Sequence, residues 1–366
     1  MTGIRHCVVA CAATLALLAC REIAAPAAAI DLTQPWQVAA PAAVGMDSAL
    51  VEHAGADAAA IPRFRSLLVA RHGRLLLERY FAGADATSRF DVRSVTKSVV
   101  ATLTGLALAR GKLSGLEASV GQYFGPPDTL DNGDRAVTVR QLLTMTSGYQ
   151  WDETTAAGYN AWILSTNHIQ YLFDRPQTGG GPPGPFTYNS AAVHLLGVLL
   201  QRATGTPLPD FAAEALFAPI GVTSAMWEPL EAGVNGGSGL QLTGRDLLRV
   251  GQLVLQEGRS GERQVVPASW VSAMTTPRFT WREAVGEQGG VTYGYLWWVA
   301  DGPPVAAVFA WGYGGQFVYV APTLDLVAVA TTDWQGISSD SAAQGLPVTV
   351  LNVIVQNVVA AATPAR

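Results

Sequence analysis

Segments with strand character gather near the two ends of this 366-residue chain, and the long stretch between them reads as helix and loop. Residues 66–70 and 75–80 are short apolar runs joined by His72-Gly73, a pair that signals a β-hairpin. Runs of the same kind return at 295–299, 308–311, 317–320 and 326–331, and an apolar helix follows from about 347 to 361. Strands split in this way must find each other across the chain. The expectation is an α/β (α+β) fold: one antiparallel sheet formed by both termini, flanked by helices, with a large, mostly helical inserted region at about 115–275. Helices are expected at 48–60, at 95–109 with a Gly111 stop, after the Thr138 cap, and at 191–203, while 179–185 must be loop.

The first thirty residues stand apart. Arg5 and His6 precede an apolar stretch from Cys7 to Cys20, then Ala25-Pro26-Ala27-Ala28-Ala29. A basic start, a short apolar run and small residues before a cut describe a secretory signal peptide at 1–29. Leu17-Leu18-Ala19-Cys20 also fits a bacterial lipoprotein box, with Cys20 as a lipid anchor, and the two readings stand side by side. Either way the protein is expected to be exported: periplasmic, secreted or membrane-anchored. All three cysteines lie in this leader, so residues 30–366 are expected to fold as one domain without disulfides. A net charge of −5 with no basic block gives no footprint for nucleic acid, and no later segment reads as transmembrane.

Several chemistries lack their residues. There is no Gly-x-Ser-x-Gly, no His-Glu-x-x-His and no Cys/His cluster, so neither an α/β-hydrolase elbow nor a zinc site is expected. The histidines, His6, His53, His72, His168 and His194, sit in the leader, in a hairpin turn or in helical patterns, and none is marked for catalysis. Lysine is more telling. Of 23 basic residues only Lys97 and Lys112 are lysine. Where a plain positive charge suffices, this chain uses arginine, which stays charged; a site that must release a proton needs the amine. Lys97 follows Ser94 by three residues at the mouth of an apolar helix, and positions i and i+3 share a face. The helix N-terminus also favours negative charge growing on Ser94. The bland alternative is a helix-capping serine beside a surface lysine; the apolar neighbours Val95, Val99 and Val100 weigh against it.

Ser94-Val95-Thr96-Lys97-Ser98 ahead of a long helix resembles the serine β-lactamase and penicillin-binding superfamily, in its class C and esterase branch that includes 6-aminohexanoate-dimer hydrolases. The likeness continues through residues 138–149, Phe186-Thr187-Tyr188-Asn189-Ser190 with Leu195-Leu196-Gly197 behind it, Gly237-Ser238-Gly239-Leu240, Arg245-Asp246-Leu247, 293–298 and 312–316, in family order over about residues 40 to 360. The resemblance implies a β-lactamase/transpeptidase-like fold and a covalent acyl-enzyme at Ser94. It makes Lys97 and Tyr188 the proton-moving groups, with the choice of general base left open. It assigns the oxyanion hole to the backbone N–H groups of Ser94 and Tyr313.

Two positions depart from the family pattern. The second box ends in Ser190 where Asn is usual, which keeps one hydrogen bond and loses the reach of an amide. The third box, usually Lys-Thr-Gly or its His variant, reads Ala310-Trp311-Gly312 and has no cation for a substrate carboxylate. Gly312 leaves room for backbone approach to the substrate. Ser190, Gly312, Trp311 and Trp151 are the expected substrate contacts, and Tyr149 and Trp162 are further candidates for the wall. Asp152 and Glu153 read as a solvated loop, or as a site for a substrate amine. The resulting expectation is a serine acyl hydrolase of small esters or short linear amides, with no cofactor and no metal. Two rivals are a β-lactamase or D-Ala-D-Ala carboxypeptidase, and a non-catalytic binding protein on the same fold.

Overall fold

The computed structural model describes residues 29–363 except 155, 179–180 and 338–342. Residues 1–28 lie outside the described residues, and with them Cys7, Cys11, Cys20 and both readings of the leader.

Nine strands make the main sheet: β1 (Gln37–Val38), β2 (Phe64–Arg71), β3 (Arg74–Tyr80), β4 (Glu283–Val285), β5 (Gln288–Tyr293), β6 (Trp298–Ala300), β7 (Ala307–Gly312), β8 (Gln316–Ala321) and β9 (Leu326–Thr332). Their spatial order is β1-β3-β2-β9-β8-β7-β6-β5-β4. The seam between the two ends of the chain is the antiparallel β2–β9 pair, with Leu67 opposite Ala330 and Val69 opposite Ala328. The β2–β3 hairpin turns at His72 and Gly73, both left-handed (φ 51° and 68°), which matches the right-handed twist of the strands it joins.

The continuous apolar runs follow from burial on both faces. Successive side chains of a strand point to opposite sides. Leu68 and Ala70 therefore join one apolar core with Val318, Val320, Val327 and Val329, while Leu67 and Val69 join a second with Phe309, Phe317, Ala328 and Ala330. Helix α1 (Ser48–Ala60), capped by the Asp47 carboxylate, and the C-terminal helix from Leu346 cover the second face. The first face carries α2 (Val95–Ala109), α3 (Ser190–Thr204) and α4 (Gly244–Leu255).

These elements agree with the sequence pattern in most places. The clearest shift is at 295–299. Strand β5 ends at Tyr293, residues 294–297 form a tight turn with Leu296 left-handed (φ 56°), and β6 begins at Trp298 opposite Tyr293. The inserted region also contains short strands, among them Leu240–Thr243, which pairs with Arg89–Asp91 just before Ser94. Among the described residues no helix is long and apolar enough to cross a membrane.

Candidate active site

The segment 92–97 is locked by backbone and side-chain bonds of its own. Val92 N–H donates to Leu240 O at 3.1 Å, and Thr96 Oγ1 accepts from Leu240 N–H at 3.1 Å while donating to Arg93 O at 2.6 Å. Arg93 adopts a left-handed conformation (φ 48°), a local strain of the kind that collects at functional sites. Its guanidinium lies 4.3 Å from the Trp334 ring centre and donates to Tyr159 Oη at 3.0 Å. Ser94 sits at the helix mouth, yet its side chain caps nothing. It faces Lys97 instead.

Lys97 is buried, 1% exposed, and its Nζ touches three oxygens: Ser94 Oγ at 2.7 Å, Ser190 Oγ at 2.8 Å and Gly237 O at 2.7 Å. Burial pushes its amine down to about 7; the Glu153 carboxylate works the other way, and Arg93 adds to the fall. Tyr188 reaches the cluster from the extended segment before α3. Its hydroxyl hydrogen-bonds the Ser94 side chain, and its ring centre lies 4.9 Å from Lys97 Nζ. Burial raises the phenol well above its ordinary value, against the opposing effect of the Ser94 bond, with Glu153 adding to the rise. Ser94, Lys97, Tyr188 and Ser190, chosen from sequence, thus meet in one place.

Asn189 does not stand in for the missing amide of the second box. Its side chain accepts from Ala192 N–H at 2.9 Å and caps α3. Gly312 has a structural reason of its own: a Cβ there would lie 2.3 Å from Val92 O, so the glycine lets β7 close on the segment that carries Ser94. Ala310, which the sequence resemblance aligns with the third-box cation, packs in the core on the Ser94 side of the sheet. Trp311 turns to the opposite face, stacked on Phe317 at 5.8 Å, and meets the Trp298 ring at 5.3 Å, which in turn stacks on Tyr188. Tyr313, by contrast, is 46% exposed beyond the end of β7.

Trp162 and Tyr149 are core residues and not walls of a site. Trp162 is fully buried among Tyr159, His168 and His194, and the Tyr149 hydroxyl donates to buried Asp134 at 2.9 Å. Trp151 is half-buried with its indole N–H donated to Glu153 Oε2 at 2.6 Å. Glu153 itself corrects the solvated-loop expectation. Asp152 does face solvent, accepting from Thr154 N–H at 2.9 Å. Glu153 turns inward, takes the Ser190 N–H at 3.0 Å and accepts the Ser190 hydroxyl proton. Gly237 was also unassigned by the motif, and its carbonyl is the third partner of Lys97. Both assignments depend on how distant loops dock, which spacing does not report.

A half-buried aromatic group flanks Tyr188. Its ring stacks on Trp298 at 6.1 Å, Tyr293 stands edge-on to Trp298 at 4.9 Å, and Phe186 meets Tyr293, Phe279 and Trp281 at 5.2–5.3 Å. Among the described residues no three or more His, Cys, Asp or Glu side chains are grouped to hold a metal ion.

A serine paired with a buried lysine three residues on, set under a terminus-built sheet that is antiparallel except where β1 runs parallel to β3, defines a class: the β-lactamase-related serine hydrolases. The chain belongs to the Beta-lactamase family, whose sequence model matches residues 65–346. It is 26% identical over 291 residues to the 6-aminohexanoate-dimer hydrolase of Paenarthrobacter ureafaciens, covering 74% of this chain and 72% of that protein. It is 33% identical over 176 residues to esterase EstB of Burkholderia gladioli, covering 42% of this chain and 44% of the esterase. In fold it is similar to a penicillin-binding protein homologue from Pyrococcus abyssi (TM-score 0.66, 16% identity, covering 85% of this chain and 76% of that one).

Proposed function

We propose that the protein is an acyl hydrolase of neutral esters or short linear amides, working through a Ser94 acyl-enzyme. The observation that carries this is the 2.7 Å contact from Ser94 Oγ to a buried amine brought down to about 7, so that a substantial fraction is neutral near physiological pH. In the first step neutral Lys97 takes the Ser94 proton as Oγ attacks the carbonyl carbon. The Tyr188 phenol, kept protonated by burial, donates to the leaving alkoxide or amine and regains a proton from the Lys97 ammonium, which carries the one taken from Ser94. Lys97, and not Tyr188, is therefore the general base in this reading. The carbonyl oxygen becomes an oxyanion facing the N–H groups of Ser94 and Tyr313; one such donor contributes about 3–4 kcal/mol to the transition state. Water then attacks the ester of Ser94; Lys97 takes a proton from it and returns that proton to Ser94 Oγ as the acid leaves.

Two features support neutral substrates. Ala310 aligns in sequence with the third-box cation, and the surface beside Tyr188 is built of Trp298, Phe186 and their aromatic neighbours. The relatives named for a linear amide and for an ester support the same bond classes. The test is turnover of p-nitrophenyl acetate and butyrate, a linear aminohexanoate dimer and nitrocefin by wild type and Ser94→Ala. Ester or amide turnover lost in Ser94→Ala, with nitrocefin inert, is the expected result. Nitrocefin turnover matching the esters overturns the substrate class, and a wild-type Ser94 that no fluorophosphonate probe labels overturns the nucleophile.

A further inference from the structure

The three contacts of Lys97 pose a question of proton direction. As an ammonium it has three protons for three oxygens and is fully satisfied. As a neutral amine it keeps two protons and one lone pair. It can act as a base towards Ser94 only if that lone pair faces Ser94 Oγ. Gly237 O, a carbonyl, can only accept. Ser190 Oγ and Ser94 Oγ are both hydroxyls, and either could donate into the lone pair. If Ser190 did so, Ser94 would be left accepting from the amine, and its proton could not pass to Lys97.

Glu153 removes that competition. A carboxylate only accepts, and this one receives both the N–H of Ser190, at 3.0 Å, and the Ser190 hydroxyl proton. The single proton of Ser190 is thereby committed away from Lys97, so Ser190 meets the amine through oxygen lone pairs alone. Glu153 is in turn aimed by the Trp151 indole N–H at 2.6 Å, and the Trp151 ring packs edge-on against buried Trp162. We propose that Glu153, acting through Ser190, is a positioning residue that turns the Ser190 hydroxyl into an acceptor and so directs the Lys97 lone pair at Ser94. This rests on the Ser94–Lys97 reading above and adds to it the residue that orients the base. A serine in place of the usual amide of the second box fits the same logic: a hydroxyl has one proton, and one carboxylate suffices to fix it.

The groups facing Lys97 are Glu153 from its loop, Arg93 from the segment before α2, and Tyr188 with Tyr293 behind it. Glu153 is the anion among them. Its negative charge holds the amine up, so its removal lets the amine fall further and moves the acidic limb of activity to lower pH.

The experiment measures kcat and KM for p-nitrophenyl butyrate from pH 5 to 9 in wild type, Glu153→Gln, Ser190→Ala and the double variant, with melting temperatures and fluorophosphonate labelling of Ser94 for each. Glu153→Gln is expected to lower plateau kcat about 10-fold or more and to move the acidic limb down by about one pH unit. In plateau kcat the double variant is expected to lose no more than the worse single variant, because the orienting role of Glu153 runs through Ser190, while its charge on Lys97 moves only the limb. A limb left at the wild-type pH, or single losses that multiply in the double variant, overturns the proposal, as does a loss that tracks only a lower melting temperature. Absence of Ser94 labelling in wild type is a separate result, and it strikes the nucleophile reading instead.

Discussion

At the scale of single residues the site turns on one buried amine. Lys97 gives up its proton more readily because it is out of water, and its value of about 7 sets a direction for the pH profile. Below that point the amine is protonated and has no lone pair, so kcat/KM is expected to rise with pH through about 7 and then level; a steady-state profile on a neutral ester measures it. Lys97→Arg keeps the charge and discards the titration. It should reduce kcat/KM by about 10²–10⁴-fold, the range of a lost general base, while circular dichroism shows a folded protein. This much was legible before the structure: the i, i+3 spacing and the rarity of lysine both point to Ser94 and Lys97. Glu153 was not legible, because nothing in Tyr149-Gln150-Trp151-Asp152-Glu153 tells which carboxylate faces inward. That is decided by Ser190 and Trp151, and in the chain Ser190 lies 37 residues away. Tyr149 and Trp162 mislead for the same reason, since an aromatic beside a motif can pack below it as easily as beside the substrate.

At the scale of elements, apolar runs bounded by turn residues identified strands β2, β3, β7, β8 and β9, because burial on both faces leaves few positions that need be polar. The pattern fails where a turn is made of apolar residues. Tyr295, Leu296 and Trp297 are each 1% exposed or less, so they read as strand although Leu296 reverses the chain. The two-residue strands of the insertion, such as Met226–Trp227 and Gly233–Val234, are below the length at which alternation can be seen at all. The junction between β7 and the Ser94 segment yields a prediction at this scale. A Cβ at position 312 would press on Val92 O, and Val92 is two residues from the nucleophile. Gly312→Ala is expected to destabilise the fold by about 1–3 kcal/mol in urea titration, the usual penalty for overpacking. Its esterase activity should fall further than the folded fraction does, since the displaced backbone carries Ser94 itself. Equal losses of activity and folded protein would mean that the junction holds the sheet without aligning the nucleophile.

At the scale of the whole molecule, the chain's connectivity ties early and late segments together. Strands β2 and β3 come from residues 64–80 and pair into strands from residues 283–332, so the sheet cannot form from either end alone. The inserted region does not build a core of its own. Leu142, Leu195, Leu216 and Trp270 from the insertion share one continuous apolar cluster with Leu68, Val318 and Val327 from the sheet. Helix α2, which bears Ser94 at its mouth and Lys97 in its first turn, lies between the two and is buried from Val95 to Ala107. Trp270 donates its indole N–H to Ala101 O at 3.0 Å, fastening the insertion to the middle of that helix. Chains of this length often unfold through intermediates, domain by domain. Here the shared core and the central helix argue for one cooperative unit. Urea unfolding followed by tryptophan fluorescence, far-ultraviolet circular dichroism and loss of esterase activity should give coincident midpoints. An activity loss that precedes both optical transitions would show that the catalytic face opens locally while the sheet stands. Optical midpoints that separate from each other would show instead that the insertion melts on its own, and that α2 belongs energetically to one side only.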